Sequence, residues 1–514
     1  MKKNNQLTKL YFILIHCALL VFLIYFFAYA TPLIIYDGDD WLYLGEIRLP
    51  IPMYKAWNPT RVFPEVFMPI VGYIGATIVF PIIDDYVFSI TIISSIVLSL
   101  FILGMCIAFY GVCRRRYNFS LKQAMILEIV FLSLFFLIFR NRSESRMLFS
   151  ASDFTCVFFY TMSGILNAIV VLYMMRYENF GKAFINGEFY SCYNRNDKIK
   201  VAFNRFLFLF ALYFALLSNL FHSCITAIYC GVEFLVSLIG FIRSILNNEW
   251  DDTNKKTIIL VFIKNNIYYF NVVILYFIVL FLEKTGGRQG TFENTMEIMV
   301  SIRQLYALIN AMSPAFVIVG VISLFYILYV LVRRVKQKSL FYAKSIVNLL
   351  LVTMFLLLLN SIVKYMSRIE ASWGVWFWII FICSITLGDI SKKIDSLAGN
   401  KCKHAFMVFI MIYTVGFAYY PDGKYKISSD RNDDYELCYK ASNYFVEQIV
   451  AADIAGEKEI TIAIPEWDSE DNFTFFEGIG NTIANTLLKH GVIHNSINVT
   501  EVIDSSLNGE FLGE

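Results

Sequence analysis

The sequence predicts an all-α polytopic membrane protein of about eleven transmembrane helices, followed by a small C-terminal extracytoplasmic α/β domain. Three observations carry that prediction. Hydrophobic residues make up 58% of the 514-residue chain and charged residues only 16%, with a mean hydropathy of +0.60, well away from the soluble balance. Apolar stretches long enough to span a bilayer follow one another with basic punctuation between them. After Tyr420 the chain turns polar and takes on the periodicities of a soluble domain.

In chain order, spans are expected near 10–31, 86–112, 121–139, 154–175, 203–220, 223–245, 258–282, 314–332, 341–362, 372–390 and 403–420. The first follows Lys2, Lys3 and Lys9 and is too long for a signal-peptide core, so it reads as an uncleaved anchor. A further run, 66–83, is flanked and interrupted by Pro64, Pro69 and Pro81 and closed by Asp84-Asp85. Proline removes helix donors, so a short, re-entrant or interfacial piece is expected there. The transmembrane domain is then 1–420, with an outer loop at 32–85.

Orientation follows from Lys and Arg. Arg114-Arg115-Arg116, the stretch from Lys182 to Arg205, Lys255-Lys256, Arg333 to Lys338 and Lys392 to Lys403 all fall on one side, taken as cytoplasmic. Basic residues ahead of the first span, with the prolines of 66–83, place the N-terminus there too; if 66–83 spans, the N-terminus lies outside and the Asp loop inside. The loops at 32–65, 140–153, 283–313 and 363–371 then face outward, with the tail 421–514. In the tail a helix is expected around Asp433–Val450, a strand at Glu459–Pro465, a helix near Glu477–His490 and a strand at Ile497–Ile503.

Several function classes drop out. The net charge of +2 says nothing about nucleic acid, but no basic cluster is interleaved with aromatics in a binding pattern, so no nucleic-acid partner is expected. The ten cysteines contain no CxxC pair and no Cys/His spacing suited to zinc.

The chemistry-bearing stretch is Tyr36-Asp37-Gly38-Asp39-Asp40-Trp41, with three carboxylates directly behind the first span. The same outer loop continues to Trp57-Asn58-Pro59-Thr60-Arg61 and Glu65. Other outer loops bring cations: Arg140-Asn141-Arg142-Ser143-Glu144-Ser145-Arg146, Lys364 with Arg368, and Arg288 behind Gly286-Gly287. His222 lies at a turn between two spans. Acids from one loop thus share a face with cations from several.

Transfer of a sugar from a polyprenyl-phosphate donor requires such a set. A carboxylate deprotonates the acceptor hydroxyl, Arg or Lys holds the leaving phosphate, and apolar walls receive the lipid chain. No nucleotide sugar is available outside the cytoplasm, so a lipid carrier is the natural donor. The candidate catalytic residues are Asp37, Asp39 and Asp40. The candidate donor-phosphate ligands are Arg61, Arg368, Lys364, His222, Arg142 and Arg146.

An N-in first span followed at once by an outer loop with an adjacent acidic pair resembles the GT-C superfamily of multi-spanning glycosyltransferases. Within it, Asp39-Asp40-Trp41 followed by Trp57-Asn58-x-x-Arg61 is similar to bacterial glucosyltransferases that decorate O-antigen or other cell-surface polysaccharide. The motif covers about thirty residues, and the rest of the chain matches by architecture alone. The resemblance implies an enzyme of the bacterial inner membrane with a donor such as an undecaprenyl-phosphate sugar. It also implies a polysaccharide or lipid-linked glycan acceptor, an inverting mechanism and one loop carboxylate as base. Family acids map onto Asp39 and Asp40, and Asp37 is additional. Some members hold a divalent cation (Mg or Mn) at that pair and others do not, so a metal on Asp39 and Asp40 stays open.

Two other readings fit the composition. A polysaccharide polymerase shares the many spans and an Arg-rich outer loop. A transporter or flippase of lipid-linked sugars is expected to carry ionisable residues at mid-span, and here only Glu128 and Glu233 qualify.

Overall fold

The computed structural model describes residues 2–48, 57–141, 145–149, 154–186, 198–247, 255–287, 289–291, 296–333, 336–363, 368–420, 425, 435–466, 475 and 478–511. Helix α1 (Lys2–Tyr25) continues through a π turn, Phe26–Ala30. An extended stretch leads into the short α2 (Gly38–Gly45). Helix α3 (Pro59–Ile83) turns sharply at Asp84-Asp85 into α4 (Tyr86–Arg115), whose first turn is capped by Asp85 accepting from Phe88 N at 2.8 Å. Next come α5 (Leu121–Leu137), α6 (Phe154–Met175), α7 (Phe180–Asn186), α8 (Lys198–Leu216) and α9 (Ser223–Leu246). Then follow α10 (Lys255–Thr285), α11 (Ile298–Asn310), α12 (Pro314–Val332), α13 (Lys336–Val363) and α14 (Trp373–Tyr419).

Among the described residues, ten helical stretches are long and apolar enough to cross a membrane. The eleven expected spans map onto them with three differences. Helix α5 has 17 residues, most of them buried against neighbouring helices. The spans expected at 372–390 and 403–420 form one stretch broken at Gly399, whose φ of +84° suits a residue without Cβ. The third is α3, which is 25 residues long rather than short.

The helix faces explain how α3 accommodates its prolines. Pro59 opens the first turn, where no donor is needed. Pro69 leaves the Glu65 carbonyl without its usual partner, and the Arg48 N–H fills it at 3.4 Å. Just ahead of Pro81 the helix widens into a π turn over Gly75–Val79. The helix lies antiparallel against α4, with Phe63 tilted against Phe101, Phe67 edge-on to it and Gly75 against Ile90. It therefore starts beside the middle of α4 and returns to its first turn, without exchanging the two ends of the bundle.

The ends can be named by their charges. Helix α1 is antiparallel to α4: Phe12 meets Tyr110, Ser95 Oγ donates to Phe27 O, and Thr91 Oγ1 donates to Leu33 O. Lys2 thus shares an end with Arg114–Arg116, and Asp37–Asp40 lies at the opposite end. Arg176 binds Ile107 O, Lys392 binds Tyr117 O and Lys338 pairs with Asp389, which gathers the basic loops at the Arg114 end. The other end is called acidic below.

Past Tyr420, α15 (Tyr435–Ala455), β1 (Glu459–Ile464), α16 (Ile479–Lys489) and β2 (Asn498–Ile503) match the order expected for the tail. The strands pair in parallel, Glu459 opposite Asn498 through Ile464 opposite Ile503. This lobe sits on the acidic end. Ser442 Oγ donates to Ile35 O, Tyr439 bonds Asp85, and α16 lies against α2.

Candidate functional site

The acidic motif folds as a capped helix start. Asp37 is the N-cap of α2 and its carboxylate accepts from Asp39 N at 2.8 Å. Asp40 reaches back, its Oδ2 accepting from the N–H groups of Asp37 and Tyr36, each at 3.3 Å. That is a capping box with aspartate at both positions. The other oxygen of Asp40 accepts from Thr155 N, the second residue of α6, at 2.6 Å. Asp40 is fully buried, while Asp39, next to it in sequence, is exposed. The three acids therefore have three positions: Asp37 caps, Asp40 ties α2 to α6, and Asp39 faces outward.

The same few residues of α6 receive the cations. The Arg368 guanidinium donates to Cys156 Sγ at 3.3 Å. The Arg61 guanidinium stacks over Phe159 at 5.0 Å and over Tyr43 at 5.2 Å, and donates to the Tyr43 hydroxyl at 2.9 Å. Tyr43 stands three residues after Asp40 on α2, so both lie on one helix face, and its ring also touches Phe159. Arg61 and Arg48 both pair with Glu65. The turn that carries Arg61 is pinned where Thr60 N donates to the buried Glu283 carboxylate at 3.1 Å. Residues 157–162 form a π turn, an irregularity often found at functional sites.

His222 is fully buried near Tyr160, with ring centroids 6.1 Å apart, and neither ring nitrogen has a hydrogen-bond partner. Burial pushes its pKa down to about 3. Burial thus favours the neutral imidazole, which would meet a phosphate as an N–H donor. Arg146 is placed by an antiparallel bridge to Phe139, its N–H donating to Phe139 O at 3.2 Å. Lys364, Arg142 and Arg288 lie outside the described residues.

A divalent cation on Asp39 and Asp40 does not fit this donor set. Three main-chain N–H groups already occupy the Asp40 oxygens, and among the described residues no three His, Cys, Asp or Glu side chains converge.

Thr155, Cys156 and Phe159 escaped the sequence reading because they begin an ordinary apolar span. Tyr43 had a legible signal, the three-residue spacing from Asp40. The capping box did too, in Asp37-x-x-Asp40.

The tail buttresses the motif from behind. Thr486 Oγ1 donates to Trp41 O at 2.8 Å, and Trp41 stacks on Tyr86. His490 takes the Tyr86 hydroxyl at Nδ1 (2.7 Å) and reaches Leu44 O from Nε2 (3.2 Å). A Cβ on Gly45 would stand 2.7 Å from Thr486 Oγ1, so glycine there lets α16 approach.

No family model and no curated protein matches the chain.

Proposed function

We propose that the chain is a membrane glycosyltransferase that moves a sugar from a polyprenyl-phosphate donor to a cell-surface glycan. The reaction would take place at the acidic end of the bundle. By the positive-inside rule that end is extracytoplasmic, the N-terminus is cytoplasmic and the tail lobe stands outside. The observation that supports this best is the convergence on residues 155–159: Asp40 on Thr155, Arg368 on Cys156, Arg61 on Phe159. One carboxylate turn, the guanidinium of Arg61 that follows it in the chain and the guanidinium of Arg368 are thereby tied to one turn of α6.

In this reading Asp39 is the general base that takes the proton from the acceptor hydroxyl. Asp40 holds the turn that presents it. Arg61 and Arg368 stabilise charge on the departing lipid phosphate through their N–H forks. Attack by the acceptor oxygen on the anomeric carbon breaks the bond to that phosphate and inverts the centre.

A transporter reading draws on the two mid-span acids. Both are paired inside the bundle, Glu128 with His16 at 2.8 Å and Glu233 with Lys344 at 2.8 Å, as structural pairs are. The deciding experiment measures transfer in membranes from a synthetic polyprenyl-phosphate sugar. Asp39→Asn should abolish transfer at an unchanged protein level, and full activity in that variant would remove the proposed base.

A further inference from the structure

On the flank of the bundle a groove of 680 Å³ lies between α1, α5 and the last turns of α14. Its walls are aliphatic and aromatic, among them Leu19, Phe26, Leu132 and Phe136. Its rim residues Ala30 and Tyr419 are exposed, so it opens sideways toward the surroundings of the helices. One end is apolar. The other, at the acidic end of the bundle, carries Arg140.

The guanidinium of Arg140 is held in place there. It stacks 4.2 Å over the Tyr425 ring and donates to Tyr420 O at 2.8 Å and Ser145 Oγ at 2.6 Å. Tyr425 is fixed in turn, its hydroxyl donating to Phe136 O at 3.3 Å and to Ala418 O. The cation is thus a built part of the mouth rather than a loose surface side chain.

Along α1 the groove runs from Leu19 to Ala30. At 1.5 Å per residue this is about 16 Å, or about half of a ~30 Å hydrocarbon core. The depth is that of one leaflet, which suits an acyl chain of ordinary length entering from the side.

From these features we infer that the groove is a binding site for an anionic phospholipid of the leaflet at the acidic end. Its phosphate sits against Arg140 and one acyl chain lies between α1, α5 and α14. An apolar slot open to lipid selects for a chain, and a fixed cation at headgroup depth selects for an anionic head over a zwitterionic one. The site is separate from the Asp39 turn, and its occupancy does not depend on the transfer chemistry proposed above.

The test is native mass spectrometry of the delipidated full-length protein, titrated in turn with phosphatidylglycerol, phosphatidylcholine and undecaprenyl phosphate. Phosphatidylglycerol should be retained at least tenfold better than phosphatidylcholine. Arg140→Gln should erase that preference, and Arg140→Lys should keep part of it. Ser133→Phe, which fills the groove and leaves the mouth intact, should lower retention of phosphatidylglycerol about tenfold. Equal retention of the two phospholipids, an unchanged preference in Arg140→Gln, or unaffected binding in Ser133→Phe would each overturn the assignment. Preferential retention of undecaprenyl phosphate would also overturn it, by making the groove a carrier-lipid site.

Discussion

Asp40 and Thr155 are joined by a 2.6 Å hydrogen bond from the main-chain N–H of one to the buried carboxylate of the other. It links the segment behind α1 to α6 across 115 residues. Removing the carboxylate would open the capping box and leave three N–H donors, two of them buried, without their acceptor. Asp40→Ala should therefore lower thermal stability, by about 1–3 kcal/mol, and lower transfer with it. Asp39→Asn should leave the melting temperature in detergent unchanged while abolishing transfer. Equal melting temperatures for the two variants would contradict the division of labour between the acids.

Arg61 acts through shape as well as charge, since it stacks on Tyr43 and Phe159 and forks toward Tyr43 and Glu65. A lysine would keep the charge but lose the planar fork and most of the stacking. Arg61→Lys and Arg61→Ala should both raise KM for the polyprenyl-phosphate donor, by about tenfold or more for alanine. The KM for the acceptor should change little. Steady-state kinetics with each substrate varied separately checks this, and an equal rise in both KM values would argue against a donor clamp.

His490 makes docking of the tail sensitive to acid. Burial pushes its pKa down from 6.5 to about 4, and the neighbouring Lys489 adds to the effect. With Nδ1 accepting from Tyr86 and Nε2 donating to Leu44 O, the bound ring is the neutral form. In the undocked tail the ring gains its proton near 6.5, so the undocked state binds more protons as the pH falls. Docking is fully stable above about pH 6.5, and up to about 3 kcal/mol is lost between there and pH 4. Hydrogen exchange in α2 and α16 should rise across that window. His490→Gln, which can keep both bonds without titrating, should flatten the dependence, and an unchanged slope would place its origin elsewhere.

His16 and Glu128 meet inside the bundle, buried and 2.8 Å apart. Breaking one member of a buried pair strands the other, whereas replacing both with apolar side chains is often tolerated. Glu128→Leu should lower the melting temperature by several degrees, and His16→Leu/Glu128→Leu should recover most of the loss. If the pair is only structural, the double variant should retain transfer from the lipid donor. Loss of transfer in a stable double variant would instead favour proton-coupled transport.

Membership of the helical membrane class, the positions of most spans and the order of elements in the tail were all legible in the chain. They depend on local quantities: mean hydropathy over about twenty residues, the period of the apolar positions, and proline or charge at the ends. The length of α3 was not legible, because its prolines are harmless only where Arg48 and a π turn happen to relieve them.

The site divides in the same way. That the acids and Arg61 follow closely behind the first span could be read from sequence alone. Which acid is buried, which is exposed, and that Thr155, Cys156 and Phe159 receive them are decided by packing between segments more than a hundred residues apart. Hydrogen bonds and ring contacts at that separation leave no periodic trace in the chain, so only the assembled bundle sets the role of each carboxylate.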